Sequence, residues 1–180
     1  MKPLQIILLT HEREVSRPTN TGQIALTCFP QYCQRIVWAR TAPDEHLLTL
    51  LQQPDTALLF PDESATPTAT FEHSDAPLID NEALSHAQQQ HLVEQTMPST
   101  LVILDATWQE ARKMLRRSSY LKTARKYTLT TNRSSEFSLR RNQVEGGLCT
   151  VECIMALFEQ ASMHDQAAVL SANFERMLAR

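Results

Sequence analysis

The sequence predicts an α/β fold, with a mostly parallel sheet flanked by helices. Short runs of consecutive apolar residues recur along the chain, as at residues 4–9 and 101–104, and such runs are typical of strands buried on both faces. Segments with helix caps or helical spacing lie between these runs. Strands that alternate with helices form parallel crossover units, so we expect a parallel sheet rather than hairpins.

The predicted elements follow from local signals along the chain. Apolar runs predict strands at residues 4–9, 35–39, 56–61, 101–104 and 126–130. Helices are predicted at residues 24–29 (ended by Pro30), 44–51 (capped by Asp44), 80–96, from Thr107 onwards, 150–160 and 165–178. The acidic stretch at 62–80 predicts a mobile loop that either repels polyanions or shields an active site.

Length and composition predict one soluble domain. A chain of 180 residues is long enough to bury a full core, so we expect a single domain over residues 1–180. Its hydrophobic share of 42% and charged share of 21% are those of a globular protein. No apolar run approaches the roughly 18 residues of a membrane helix, and the apolar start is too short for a signal peptide. We therefore expect a cytoplasmic protein without a membrane partner.

The four cysteines predict packing rather than metal binding. Cys28, Cys33, Cys149 and Cys153 form no C-x-x-C pair, and nothing indicates a secreted disulfide scaffold. Cys149 and Cys153 are spaced to share a helix face, so we expect small buried hydrophobic side chains. No metal site is expected.

The charge distribution indicates a polyanionic partner. Although the net charge is −3, residues 112–141 contain ten Lys or Arg and one acid, Glu136, whereas the rest of the chain has seven cations and nineteen acids. A basic block in an acidic protein guides a polyanion onto one surface. A solvated helix face is the alternative interpretation, since Lys and Arg form helices readily, but the scarcity of neutralising acids favours nucleic acid.

The central candidate is Asp105, at the carboxyl end of the predicted strand 101–104. Thr107 and Glu110 have the spacing of a capping box, so a helix begins at Thr107. In open α/β sheets, ligands bind where a strand ends beside a helix N-terminus. The carboxylate is therefore either functional or an acid that stabilises the helix dipole.

Two further stretches predict binding loops. Residues 11–22 follow the first strand and are dense in polar side chains, which is typical of a binding loop or a structural clamp. Gly146 and Gly147 are two of the three glycines in the chain and precede a predicted helix. Such a pair indicates close approach of a ligand or of another backbone, the alternative being a plain turn.

Four stretches together resemble the DTW-domain family. They are residues 11–14 (HERE) with 17–22 (RPTNTG), 58–61 (LLFP), 105–108 (DATW) and 146–152 (GGLCTVE). The third has the D-x-T-W signature for which the family is named, and the resemblance runs over nearly the whole chain. The family is related to the SPOUT class, so the resemblance implies a SPOUT-like fold with a C-terminal trefoil knot. Many members begin with a cysteine-rich, zinc-type segment, whereas this sequence opens on its first strand, which leaves the RNA target open.

The resemblance implies the reaction and its donor. Known members are tRNA-uridine aminocarboxypropyltransferases, which move the 3-amino-3-carboxypropyl group of S-adenosylmethionine to N3 of a tRNA uridine. Methylthioadenosine leaves as a neutral group, so no metal is required. The alternatives are a SPOUT-type RNA methyltransferase, which uses the same donor, and a non-catalytic RNA-binding module. The oligomeric state is left open, with a monomer favoured.

This reaction gives each candidate residue a role. Asp105 is the candidate base for the uridine N3–H, or it orients the uridine or balances the charge of the donor. Trp108 either stacks on a base or adenine or packs against its helix, and His11 is expected to cap or clamp its loop. The donor pocket is expected to be lined by Phe60, Pro61, Leu104, Trp108, Gly146, Gly147, Leu148, Cys149 and Thr150. RNA or donor-carboxylate contacts are expected from Arg17 and Asn20, and tRNA phosphate contacts from Arg112, Lys113, Arg116, Arg117, Arg140 and Arg141.

Overall fold

The computed structural model describes residues 3–59, 96–129 and 147–179. The chain divides into two compact units, residues 1–61 with 98–180 and residues 62–97. Nearly all described residues belong to the first unit, to which the following description is confined. Several predictions lie outside the described residues: the strand end at Phe60 and Pro61, the acidic loop, most of the helix at 80–96, Gly146, Arg140, Arg141, and the path of residues 130–146 on which the implied knot depends.

In the described part of the chain, five parallel strands form one sheet, as the sequence predicts. The strands are β1 (Gln5–Thr10), β2 (Cys33–Val37), β3 (Thr56–Leu59), β4 (Thr100–Asp105) and β5 (Lys126–Tyr127), in the spatial order β2-β1-β4-β3-β5. The described helices are α1 (Glu12–Val15), α2 (Gly22–Cys28), α3 (Glu45–Leu51), α4 (Trp108–Arg117), α5 (Ser119–Lys122), α6 (Thr150–Gln160) and α7 (His164–Leu178). None of these helices combines the length and the apolar character that a membrane span requires.

Most element bounds agree with the local signals to within two residues. The strand predicted at 126–130 is shorter, since β5 ends at Tyr127, and the helix predicted at 24–29 covers Gly22–Cys28. α6 has its predicted bounds, and the Asp44 side chain caps α3 as predicted. β2 begins at Cys33 rather than at residue 35, because Cys33 already pairs with Ile6 of β1. Trp38 lies beyond the end of β2, although its N–H still donates to the Thr10 carbonyl at 2.8 Å. The single turn of α1 has no counterpart in the sequence prediction.

The sheet is buried on both faces, which explains why its strands are continuously apolar. Leu9 of β1 points to one side, where Met114 of α4 belongs to the same core cluster. Leu8 points to the other side because successive side chains of a strand alternate, and there it lies next to Gly22 of α2. Helices α2, α6 and α7 pack together on this second side. The fold is therefore a three-layer α/β sandwich.

This alternation separates two neighbouring candidate residues. Leu104 pairs with Leu9 and packs against the core cluster on the side of α4. Asp105 pairs with Thr10 and points towards α2 and α6. Their side chains lie on opposite faces of the sheet, so a ligand of Asp105 meets Leu104 only through the backbone.

The strands β1 and β4 are adjacent, but the chain leaves them in opposite directions. β1 leads through α2 to β2 at one edge of the sheet, whereas β4 leads through α4 and α5 to β5 at the other edge. Such a divergence opens a crevice beyond the carboxyl ends of the two strands, where α/β proteins bind ligands. Thr10 and Asp105 are paired in register and end the two strands at that point.

Candidate active site

Asp105 is the centre of a buried hydrogen-bond network at this crevice. The residue is 2% exposed. Its Oδ2 accepts from Thr10 Oγ1 and from Asn20 Nδ2, both at 2.9 Å, and its Oδ1 accepts from Thr150 Oγ1 at 2.9 Å. The carboxylate thus joins β4 to β1, to the loop before α2 and to the first turn of α6. These donors meet the requirement that a buried charge be hydrogen-bonded.

Arg35 of β2 places a positive charge beside this carboxylate. One guanidinium nitrogen lies 3.9 Å from Asp105 Oδ2, Nε donates to Thr10 Oγ1 at 3.2 Å, and Nη1 donates to Gln23 Oε1 at 3.1 Å. The Arg35 side chain is 18% exposed, so its attraction to Asp105 is less screened than on an open surface. Sequence reasoning missed Arg35 and Thr10, because no spacing within the chain relates an edge-strand arginine to Asp105.

The loop between α1 and α2 is part of the same network. Asn20 is 3% exposed; its Nδ2 donates to Asp105, and its Oδ1 accepts the Gln23 N–H at 2.9 Å. Thr21 Oγ1 accepts the Val151 N–H at 3.3 Å, which joins the loop to α6. The sequence predicts an RNA or donor contact for Asn20. In the structure both ends of its amide form hydrogen bonds within the protein, one of them to the buried carboxylate.

His11 holds the start of this loop. Its ring stacks on that of Trp38, with centroids 5.4 Å apart, and its Nδ1 accepts the Arg13 N–H at 3.3 Å, which caps α1. Its backbone N–H donates to the Asp105 carbonyl at 3.2 Å. The prediction that His11 caps or clamps the loop is confirmed.

Gly22 is required for space rather than for backbone conformation. A Cβ at this position would lie 2.9 Å from Asp105 Oδ1 and 3.0 Å from Leu8 Cδ1, whereas its φ lies outside the left-handed range. Both neighbours are buried, and hydrogen bonds fix the carboxylate. Neither neighbour can move aside without loss of packing or of hydrogen bonds.

We expect Gly22→Ala to destabilise the protein by roughly 1–3 kcal/mol, as overpacking does. The sign is diagnostic, because Gly→Ala within a helix otherwise stabilises by about 1 kcal/mol. Urea denaturation measures the change, with Thr27→Ala at an exposed position of α2 as the control. A neutral or stabilising effect of Gly22→Ala would mean that the Asp105 carboxylate is free to shift.

Gly147 brings the loop before α6 against Trp108 of α4. A Cβ at Gly147 would lie 2.9 Å from Cζ2 and from Nε1 of the indole, so glycine permits this close approach. One edge of the half-buried indole therefore packs on loop backbone. Since Thr150, the first residue of α6, donates to Asp105, the structure brings Gly147 and the carboxyl end of β4 to one place.

The start of α4 is fixed by the predicted capping box. Thr107 Oγ1 accepts the Glu110 N–H at 3.3 Å, and Glu110 Oε2 accepts the Thr107 N–H at 3.1 Å. Burial raises the pKa of Glu110, but the hydrogen bonds from Thr107, together with the charges of His11 and Arg17, outweigh burial and lower that pKa overall. Glu110 is therefore ionised at neutral pH.

The first turn of α6 uses several of its polar groups internally. The Cys149 N–H donates to Glu152 Oε2 at 2.7 Å, and the Val151 N–H donates to Thr21. Burial, and then the charge of Glu152, raises the pKa of both Cys149 and Cys153, to about 12 for Cys153. These thiols are protonated at neutral pH and act as small packing groups.

Burial also raises the pKa of Cys33, to about 12, and the four cysteines form no disulfide. Within residues 3–59, 96–129 and 147–179, no three His, Cys, Asp or Glu side chains are grouped as metal ligands.

The basic block contributes one exposed face of α4. Met114 is buried in the core, and the rest of the helix surface exposes four cations: Arg112, Lys113, Arg116 and Arg117. None of the four forms a salt bridge with a described residue. Exposed cations that form no ion pair are suited to phosphate contacts.

A cleft of about 350 Å³ lies between α4 and the loop after β1. It is lined by Arg13, Arg17, Thr107, Gln109, Glu110 and Lys113. The side chain of Arg17 is 44% exposed and pairs with the buried Glu14. The structure therefore brings Arg17 and Lys113, two predicted RNA-binding residues, to the same cleft.

Comparison with known proteins agrees with the motifs. The DTW domain family model matches residues 1–180. The tRNA-uridine aminocarboxypropyltransferase 2 of Mus musculus is 25% identical over 160 residues, which cover 85% of this chain and 47% of that protein. The protein of the same name from Drosophila melanogaster is 27% identical over 154 residues, which cover 82% of this chain and 52% of that protein.

The chain spans about half the length of the curated relatives it matches. No solved structure matches it significantly. The family model spans every residue, and its D-x-T-W signature, residues 105–108, ends β4 and starts α4 at the crevice. The chain therefore belongs to the DTW-domain family.

Proposed function

We propose that this protein is a tRNA-uridine aminocarboxypropyltransferase. It moves the 3-amino-3-carboxypropyl group of S-adenosylmethionine to N3 of a tRNA uridine, and methylthioadenosine leaves. The observation that supports this proposal is the meeting of Asp105, Trp108 and the 147–150 loop at the end of the sheet. The helix that carries the exposed cations, α4, starts at the same end of the sheet.

The residues at the crevice fit a cationic nucleoside donor. S-adenosylmethionine, when bound, supplies a sulfonium whose positive charge is attracted to a carboxylate such as Asp105. Trp108 provides an indole, and Gly147 lets the loop backbone come close to it. Our proposed donor-binding set is Leu104, Trp108, Gly147, Leu148, Cys149 and Thr150, with Phe60, Pro61 and Gly146 from outside the described residues. Because the Cys149 N–H already donates to Glu152, we assign the donor contact of Cys149 to its carbonyl or side chain.

Asp105 is our candidate for the group that takes the uridine N3 proton. Its Oδ2 accepts two hydrogen bonds, from Thr10 and Asn20, whereas Oδ1 accepts one, from Thr150. A carboxylate oxygen has two lone pairs, so the proton goes to Oδ1. Since Asp105 is 2% exposed, the Thr150 hydroxyl has to give way when the uridine enters. This hydrogen bond also leaves Asp105 a second role, that of positioning the α6 loop.

Selectivity for the transferred group is a matter of position. The sulfonium of the donor bears three carbons, and transfer of the aminocarboxypropyl arm requires its γ-methylene, not the methyl, to face the uridine. The crevice walls that Trp108 and the 147–150 loop form are suited to fix that orientation. A methyltransferase would require the same residues to present the methyl group.

The function is tested by incubating the protein with S-adenosylmethionine and unmodified tRNA, followed by mass analysis of the nucleosides. We expect uridine to gain the mass of one aminocarboxypropyl group. Gain of a methyl group would identify an RNA methyltransferase. Binding of tRNA without any transfer, together with no heat on titration with the donor, would identify an RNA-binding module.

The basic face of α4 is the proposed tRNA surface, and it makes a separate prediction. Replacing Arg116 and Arg117 by alanine should weaken tRNA binding and lower the slope of log affinity against log salt by about two, roughly one for each phosphate contact. The matched control is Arg176→Ala, which removes an exposed cation from α7. Filter binding between 50 and 200 mM salt measures the slope. A slope equal to that of the wild type would remove α4 from the tRNA surface.

A further inference from the structure

We propose that the cleft between α4 and the loop after β1 is a clamp for a single RNA phosphate, closed by Arg13 on one wall and Lys113 on the other. Arg13 lies in the 11–14 stretch of the family resemblance, but the sequence assigns it no role. The inference rests on the proposed function in one respect, namely that RNA is the substrate. It adds a defined anion site next to the reacting crevice.

The cleft is tied to the crevice by both of its walls. Arg13 belongs to α1, directly after β1, and the neighbouring His11 N–H donates to the Asp105 carbonyl at 3.2 Å. Thr107 and Lys113 belong to the cap and the body of α4, directly after β4. Both walls of the cleft therefore belong to the segments that follow β1 and β4 at the crevice. The cleft has a volume of about 350 Å³, which is within the range of roughly 300–1,000 Å³ usual for ligand sites.

The charges at the cleft leave an excess of one positive charge. Arg13, Arg17 and Lys113 line it together with one acid, Glu110, and the buried Glu14 pairs with Arg17. Arg13 and Lys113 are exposed, and neither forms an ion pair with the described residues. Two cations that face one space from opposite walls attract an anion of one charge, such as a phosphodiester.

The surroundings of the cleft favour a phosphate of RNA over the carboxylate of the donor. Lys113 lies both in the cleft and on the exposed basic face of α4, so the positive surface continues from the cleft along Arg116 and Arg117. A polyanion can contact the whole of that surface, whereas a single carboxylate contacts only the cleft. Gln109, also in the lining, offers an amide donor of the kind that often contacts phosphate oxygens.

The clamp predicts a specific pattern of salt dependence. Arg13→Ala and Lys113→Ala should each weaken tRNA binding by roughly threefold to tenfold and lower the salt slope by about one. Because both residues hold the same phosphate, the double variant should lower the slope by little more than either single variant. Arg176→Ala is again the control and should leave the slope unchanged. Unchanged slopes for both single variants, or fully additive slopes in the double variant, would overturn the clamp.

A second measurement locates the phosphate. In a tRNA stem-loop series, single phosphates are replaced one at a time by uncharged methylphosphonates. At one position, the methylphosphonate should weaken RNA binding by the wild-type protein as much as Lys113→Ala weakens binding of unmodified RNA. The same methylphosphonate should cause no further loss of binding by the Lys113→Ala variant. If no position shows this pattern, the cleft holds no single phosphate and the proposal is wrong.

The donor provides the remaining arm of the test. Calorimetric titration with S-adenosylmethionine should give the same affinity for the wild type and for Arg13→Ala. Weakened donor binding with an unchanged RNA slope would mean that the cleft takes the donor carboxylate instead. All RNA measurements are made without the donor, so a failure of group transfer leaves the clamp intact, and a failure of the clamp leaves the transfer assay unaffected.

Discussion

Replacing Asp105 by alanine is expected to lower the free energy of unfolding by about 3–5 kcal/mol, as does the loss of one partner from a buried charged network. The substitution removes the acceptor for Thr10, Asn20 and Thr150 at once. The buried Asn20 and the half-buried Thr150 then lose their acceptor, Thr10 keeps only the Leu8 carbonyl at 3.3 Å, and Arg35, 3.9 Å from the carboxylate, loses its counter-charge. Urea denaturation followed by circular dichroism measures the change.

The matched variant is Asp105→Asn, which keeps the size of the side chain and one acceptor oxygen. That oxygen can accept from Thr10 and Asn20, while the amide nitrogen faces Thr150, whose hydroxyl is able to accept as well as donate. We expect a smaller loss for this variant, about 1–2 kcal/mol. If alanine costs less than about 1 kcal/mol, the donors have found other partners, and Asp105 is not the centre that the structure indicates.

The same asparagine variant should lower the rate of group transfer by a factor of at least about 100, the usual contribution of a positioned general base. The amide cannot accept the uridine N3 proton, although the shape of the site is preserved. Affinity for S-adenosylmethionine should change much less than the rate. The measurement is single-turnover transfer to tRNA, analysed as nucleosides, with donor affinity from calorimetry.

The variant Thr10→Val distinguishes two roles of Asp105, that of a catalytic base and that of a structural support of the hydrogen-bond network. It removes one donor to Oδ2 but leaves the charge of Asp105 and its Oδ1 in place, so transfer should fall less than tenfold, well short of the effect of a lost base. Equal losses for Thr10→Val and Asp105→Asn would show that the carboxylate acts through its neighbours. Full activity of Asp105→Asn would refute any catalytic role.

The elements were predictable where their signals are local. The capping box of Thr107 and Glu110 is formed as the spacing predicts, because a cap satisfies N–H groups within one turn. Continuous apolar runs predicted parallel strands, since only strands covered on both faces can be apolar throughout. Gly147 was a candidate because glycine is rare in this chain. The structure gives the reason for a glycine there: its Cα approaches Trp108 too closely for a Cβ.

The partners of Asp105 were predictable only in part. Asn20 and Thr150 lay within recognisable motifs, but the sequence could not tell that both point at one carboxylate. Arg35 had no signal and Arg13, although within the 11–14 motif, had no assigned role, because a side chain in an edge strand or a short turn has no periodicity that identifies its partner. The clamp pairs Arg13 with Lys113 across 100 positions of sequence, and local patterns do not reach that far.

By itself, the sequence determined the class of fold, the segments that form strands and helices, and the family motifs, since each depends on residues close together in the chain. The tertiary structure decided the rest. The strand order placed β1 beside β4 and so opened the crevice. The packing of the loop before α2 buried Asn20 and brought its amide to Asp105. Both depend on contacts between residues far apart in the chain, and a buried carboxylate finds its donors wherever the packed chain supplies them.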